Sequence, residues 1–171
     1  MRKAFTLIEL MISIVILSIL MLFLYKSYSS LNISNMQYLK EVQKIQKIEK
    51  IKKTFYLDLM LSRYKKIKIL NQNKTEDIVF LQSSHSIHDR IEPYIAYIVK
   101  DKKLYRLESL KEFKEYPLVA DSEFDIDYIG EVKHFRLYMN DKKAKILKYL
   151  LDCDFIKMSD VLIKVKPLND K

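Results

Sequence analysis

The stretch AFTLIELMISIVILSILMLFLY, residues 4–25, decides how the rest of the chain is read. Phe5 to Leu24 is a run of twenty residues in which only Thr6, Glu9, Ser13 and Ser18 are polar. As a helix rising about 1.5 Å per residue it spans about 30 Å, the thickness of a bilayer's hydrocarbon core. Arg2 and Lys3 precede it, so the positive-inside tendency holds the amino terminus in the cytoplasm and puts the bulk of the chain outside. The run is longer than the roughly 7–15 apolar residues of a cleaved secretory signal, and YKSYSS behind it is a poor small-x-small cleavage site. A plain membrane anchor explains the length and the flanking charges but gives Glu9 no purpose. At mid-bilayer a carboxylate costs about 2.5–3.5 kcal/mol, and snorkelling lowers that cost so near the start of the run without rewarding it.

Composition narrows the rest. The chain has 171 residues, 49% of them hydrophobic, which is enough for one core and an extra element. It holds a single glycine, Gly130, and three prolines, Pro93, Pro117 and Pro167, which excludes the glycine-rich loops that cradle phosphates or dinucleotides. One cysteine, Cys153, excludes an intrachain disulfide and a multi-cysteine zinc site, and reads as a small buried hydrophobe. Residues 1–68 carry 13 Lys/Arg against 4 Asp/Glu, the whole net charge of +9, while residues 69–171 carry 18 of each. The carboxy-terminal part therefore has no excess of charge for nucleic acid.

From Tyr25 to about Lys68 there is no proline or glycine, and NMQYLKEVQKIQKIEKIKKTFYLDLMLSRYKK (35–66) is dense in helix formers, so the helix is expected to continue out of the membrane over 25–68. Met36, Leu39, Val42, Ile45, Ile48 and Ile51 recur every three positions, a stripe that drifts around a helix of 3.6 residues per turn. Either the helix meets several packing surfaces in turn, or its lysines (Lys40, Lys44, Lys47, Lys50, Lys52, Lys53) solvate an ordinary amphipathic helix or face lipid headgroups. Residues 69–171 then read as an antiparallel sheet domain. Its strands are predicted at 77–82, 94–100, 103–108, 132–139, 144–151 and 161–166, with tight hairpins at 100–103 and 140–143 and an irregular segment at 108–117. The fold class is α+β: a long amino-terminal helix packed on an antiparallel sheet.

Candidate chemistry is sparse. His85, His88 and Asp89 in SSHSIHD have a spacing that could place two metal ligands on one helical face, but the serines and nearby Pro93 read as a polar surface loop. His134 alternates along a strand and reads as a sheet residue. Asp121, Glu123, Asp125 and Asp127 alternate in DSEFDID and offer oxygen ligands of the kind calcium takes, without the glycine and spacing of an EF-hand; the patch reads as a solvated loop or edge. No nucleophilic triad and no cofactor motif occur, so the chain is read as non-enzymatic, with no cofactor.

RKAFTLIELMISIVILSIL (2–20) resembles the class III leader and amino-terminal helix of type IV pilins and type II secretion pseudopilins. The resemblance implies a leader of residues 1–4, cleavage by a prepilin peptidase between Ala4 and Phe5, N-methylation of Phe5 and a transmembrane helix over 5–24. It makes Glu9 the glutamate that registers a subunit by meeting the amino-terminal amine of a neighbour. A buried carboxylate is tolerated when an opposite charge meets it, and the cut creates one. Ala4 stands where the family usually has glycine, and the family's helix-loosening proline is absent. PYIAYIVKDKKLYRLES and VLIKVKPL are similar to segments of J-type minor pseudopilins or W-type minor pilins. The resemblance implies other pilins or pseudopilins, the peptidase, an inner-membrane assembly platform and the membrane as partners. It puts the amino terminus in the cytoplasm and the sheet domain in the periplasm. Two other readings stay open: a competence-pilus subunit that contacts DNA through the basic helix, and an uncleaved membrane-anchored periplasmic protein.

Overall fold

The computed structural model describes residues 6–63, 66–118, 123–140 and 148–168. It contains one helix, α1 (Leu7–Met60), and seven strands: β1 (Lys68–Asn71), β2 (Asp77–Gln82), β3 (Tyr94–Lys100), β4 (Lys103–Ser109), β5 (Asp125–Met139), β6 (Tyr149–Phe155) and β7 (Val161–Val165). The chain divides into two compact units, residues 1–46 and 47–171. Among the described residues the first unit is Thr6 followed by helix, and its apolar side chains from Leu7 to Leu39, with Ile45, are exposed, while Val42 is half-buried.

In the second unit the last turns of α1 pack on a seven-stranded antiparallel sheet in sequential order β1 to β7, the α+β arrangement the sequence predicts. Ile48, Ile51, Phe55 and Leu59, spaced three and four apart, form the buried helix face against Val79, Leu81, Ile95, Val99, Leu104, Phe135, Leu137 and Cys153. The opposite face of β2 to β4 has its own cluster, in which Phe113 stacks on Phe80 at 6.0 Å between centroids and Tyr116, Leu118 and Phe124 pack around them. The irregular segment after β4 is thus held by aromatics. The β3–β4 hairpin closes as predicted through Asp101 and Lys102, with φ of 52° and 59°, the two left-handed residues of a type I′ turn.

Several boundaries differ from the sequence pattern. The helix ends at Met60, not near Lys68. Its final carbonyls are taken by donors from elsewhere: Leu168 N–H to Met60 O (2.9 Å), Ser84 N–H to Leu61 O (3.2 Å) and Ser62 Oγ to Leu59 O (2.7 Å). Beyond it the alternation Lys66-Ile67-Lys68-Ile69 leads into β1, with Ile67 and Ile69 against the core. β5 starts at Asp125, seven residues before the predicted 132, so half of the acidic patch lies in a strand. Its first part pairs with β4 and its last with β6. The edge vacated by β4 is met by Thr75 O, which accepts Phe135 N–H (3.0 Å), and by Asp77 Oδ2, which accepts Leu137 N–H (3.0 Å), so the sheet curls. β6 begins at Tyr149 and continues through Asp152 and Asp154, whose side chains face Arg136 and His134 across the ladder. Most of the second predicted hairpin and the start of its strand, residues 141–147, lie outside the described residues.

Gly130 sits where β5 passes from one partner to the other. A Cβ there would lie 2.8 Å from Met158 Cε and 3.0 Å from Phe155 Cε1. The methionine tip can yield; the buried Phe155 ring cannot without disturbing the core. Gly130→Ala is expected to lower the unfolding free energy by about 1–2 kcal/mol, read from chemical denaturation, and an unchanged midpoint would show that the ring adapts freely.

Candidate functional site

The head of α1 is built on Thr6 and Glu9. Thr6 precedes the first helical residue and Glu9 is the third, the spacing of a capping box. Glu9 Oε2 accepts the Thr6 N–H (2.9 Å) and the Thr6 hydroxyl (2.8 Å), so the carboxylate satisfies a backbone donor that the helix leaves open and sits at the positive end of its dipole. Ser13 and Ser18 donate to the carbonyls one turn back, Glu9 O (2.7 Å) and Ile14 O (2.8 Å). Each polar side chain of the apolar run therefore has a partner on its own helix, a requirement inside hydrocarbon. The helix is long and apolar enough to cross a membrane. Ala4 and Phe5 lie outside the described residues.

A second feature was not foreseen from sequence. Asp58, Arg106 and Glu108 are fully buried and in contact with one another. Asp58, on the inward face of α1, accepts Arg106 Nε at Oδ2 (2.8 Å) and Nη2 at Oδ1 (3.3 Å), a forked pair. It also accepts the Tyr97 hydroxyl (2.5 Å) and faces His85 Nδ1 at 2.5 Å. Since a carboxylate only accepts, His85 Nδ1 donates. Arg106 Nη1 donates to Glu108 Oε2 (2.6 Å), and Glu108 also accepts Ser86 Oγ–H and the Ile87 N–H (3.1 Å).

Burial works against the charge on Arg106, but Asp58 and Glu108 overcome it and hold the guanidinium protonated above its ordinary range. Burial also pushes the Tyr97 hydroxyl well up, with the Asp58 charge adding to it. For Glu108 burial alone would raise the carboxyl; the hydrogen bonds from Ser86, Arg106 and Ile87 outweigh it and hold it below the usual carboxylate range. All four acceptor directions of Asp58 are used by protein donors. The cluster positions the end of α1 on β3 and β4.

The sequence-predicted polar residues distribute around it. His85 is drawn inward to Asp58, and His88 Nε2 lies 2.9 Å from Asp127 Oδ2. Arg90 donates to Asp125 Oδ2 (2.6 Å), and Arg106 Nη1 stands 3.6 Å from Asp127. Glu123 is exposed, and Asp121 lies outside the described residues. Two of the proposed oxygen ligands, Asp125 and Asp127, thus face protein donors, and among the described residues no three His, Cys, Asp or Glu side chains are grouped to hold a metal ion. His134 is a sheet residue on β5, 3.1 Å from Asp152. Cys153 is buried in the core, which pushes its thiol up.

Because the Glu108 carboxyl is depressed in the fold, its contribution to stability is complete above its unfolded value of about 4.3 and is lost as pH falls through the lower folded value. Glu108→Gln is expected to cost about 3 kcal/mol at neutral pH, by leaving part of the Arg106 charge uncompensated. The gap from the parent should narrow as the pH is lowered below about 4. Denaturation midpoints between pH 7 and pH 3 test this, and a gap that does not change with pH would contradict it.

The family model described as the prokaryotic N-terminal methylation motif matches residues 1–25. No curated protein and no solved structure matches the chain. The matched segment contains Ala4, Phe5, the Thr6–Glu9 cap and the whole apolar run, and it is a motif of structural subunits, not of an enzyme family. The match over residues 1–25 supports a class III leader of the type IV pilin and pseudopilin kind, in a chain whose described part is an α+β, pilin-like arrangement.

Proposed function

We propose that the chain is a minor pilin or pseudopilin of a type II secretion or type IV pilus-like filament, with a structural role in its initiation or at its tip. The observation that carries this reading is the coincidence, within residues 1–25, of the N-terminal methylation motif with an apolar helix whose side chains are exposed among the described residues and whose one carboxylate stands at the helix head. Such a helix needs lipid or neighbouring helices around it. In the proposed sequence of events the chain inserts with its amino terminus in the cytoplasm and residues 69–171 in the periplasm. A prepilin peptidase removes residues 1–4 and methylates Phe5. The inner-membrane assembly platform then moves the subunit into the filament beside other pilins or pseudopilins, where the apolar helix exchanges lipid for its neighbours.

Glu9 is assigned the registering role. The carboxylate meets the Phe5 amine of an adjacent subunit, a charge pair whose value is high where water is scarce. The basic stretch of α1 is partly paired on its own surface, Lys44 with Glu41 at 2.6 Å and Lys52 with Glu49 at 3.0 Å, which favours a solvated face over a DNA track.

Mass measurement on protein recovered from cells that contain the peptidase is expected to find a chain beginning at Phe5 with one N-methyl group. An intact Met1 start would instead make the chain an uncleaved anchor. Glu9→Val is expected to leave insertion and cleavage intact while filament incorporation, followed by shearing and immunoblotting, falls at least tenfold; normal incorporation would remove the registering role.

A further inference from the structure

The segment between β2 and β3, residues 83–93, lies across the buried charge cluster as a strap. Its ends are joined, Ser83 N–H donating to Pro93 O (3.2 Å), and it bends through Asp89 and Glu92, whose φ values are 56° and 47°. Ser86 is its internal hub. The Ser86 hydroxyl donates to Glu108 below and accepts the N–H groups of His88 (3.1 Å) and Arg90 (2.8 Å). The floor beneath is acidic: Asp58 from α1, Glu108 from β4, and Asp125 and Asp127 from β5, with Arg106 as the cation among them. The strap supplies partners for the other carboxylates: His85 at Asp58, His88 at Asp127 and the cationic Arg90 at Asp125. At its far end Glu92 binds Arg63, just beyond α1, at 2.5 Å.

We propose that residues 83–93 form an electrostatic latch that opens and closes as a unit and, when closed, clamps the end of α1 onto β4 and β5. Two observations carry it. The strap's anchors run from α1 (His85 to Asp58) through β4 and β5 (Ser86 to Glu108, His88 to Asp127, Arg90 to Asp125) to Arg63 just beyond α1 (Glu92), so its two ends hold the α1 side and its middle holds the sheet. The outermost pairs, Arg90–Asp125 and Arg63–Glu92, are partly exposed, whereas the pairs beneath are buried. A partner that competes for Arg90 or Glu92 at the surface would thereby loosen the end of α1. The latch rests on contacts within the second unit alone and is independent of the pilin reading.

Hydrogen exchange by mass spectrometry on the full chain in detergent micelles tests the latch. Arg90→Gln, a change on the β5 side, is expected to speed exchange by about two- to fivefold both in peptides covering 83–93 and in peptides covering the end of α1, 55–63, with β3 and β4 unchanged. Raising NaCl from about 0.05 M to about 0.5 M should act in the same direction on the parent, because the outer pairs are screened. Faster exchange confined to 88–92, with 55–63 unmoved, would overturn the latch. If Arg90→Gln also exposes β3 and β4, Glu92→Gln decides by the same readout: concerted loosening of 83–93 and 55–63 upholds the latch, and purely local loosening overturns it.

Discussion

The forked contact between Asp58 and Arg106 is the constraint on which the sheet domain depends. Both side chains are wholly withdrawn from water, at a cost of several kcal/mol each that only close geometry offsets. They come from α1 and from the middle of β4, 48 residues apart in sequence. The apolar helix face of Ile48, Ile51, Phe55 and Leu59 would pack on the concave sheet in more than one rotation or register, since hydrophobic contact is not directional. An aspartate that must find a guanidinium admits one. The pair therefore contributes specificity more than stability, and Tyr97 and His85 complete Asp58 so that no lone pair is left unsatisfied.

From that fixed point the surroundings follow. Arg106 holds more acidic company than one cation balances, which gives the strap its work and sets Asp125 and Asp127 on the first turns of the long strand β5. β5 has to leave β4 to reach β6, and the crossing is made at Gly130, the one residue without a Cβ to strike Phe155 and Met158. Beyond the crossing Thr75 and Asp77 close the edge that β4 has left. The curl of the sheet is thus tied to one small residue and one buried carboxylate.

Much of this was legible in the sequence. The apolar run, the helix behind it, strands 77–82 and 94–100 and the Asp101–Lys102 turn follow local rules of periodicity and turn chemistry, and the structure reproduces them. The parts that were not read depend on partners distant in sequence. The sequence pattern starts β5 too late and ends β6 too early because Asp125, Asp127, Asp152 and Asp154 look like loop residues until Arg90, His88, His134 and Lys133 are opposite them. A signal for the cluster did exist. Leu104, Arg106 and Glu108 share one parity of β4, so two charges occupy the inward face, and Asp58 interrupts an otherwise apolar helix stripe. The Ile67 and Ile69 alternation leading into β1 is equally visible, but the pattern reads on as helix because nothing local, neither glycine nor proline, stops it at Met60. The donors that do stop it come from residues 84 and 168.

The two ends of the helix show one principle under opposite conditions. At Asp58 a carboxylate is buried by protein, and four donors from the 83–93 segment, β3 and β4 meet it. At Glu9 the helix is exposed among the described residues, and the partners there are the two Thr6 donors, both on Oε2. An ionised carboxylate accepts about four hydrogen bonds, so capping its own helix uses only part of its capacity. In the proposed filament the remainder is what a neighbour's amine would meet. The cap also fixes the carboxylate's rotamer before that amine arrives, which lowers the entropy lost when the pair forms. On the proposed registering role, capping and registration would be successive uses of one side chain, the first making the second cheaper, with the threonine three residues upstream as part of the device.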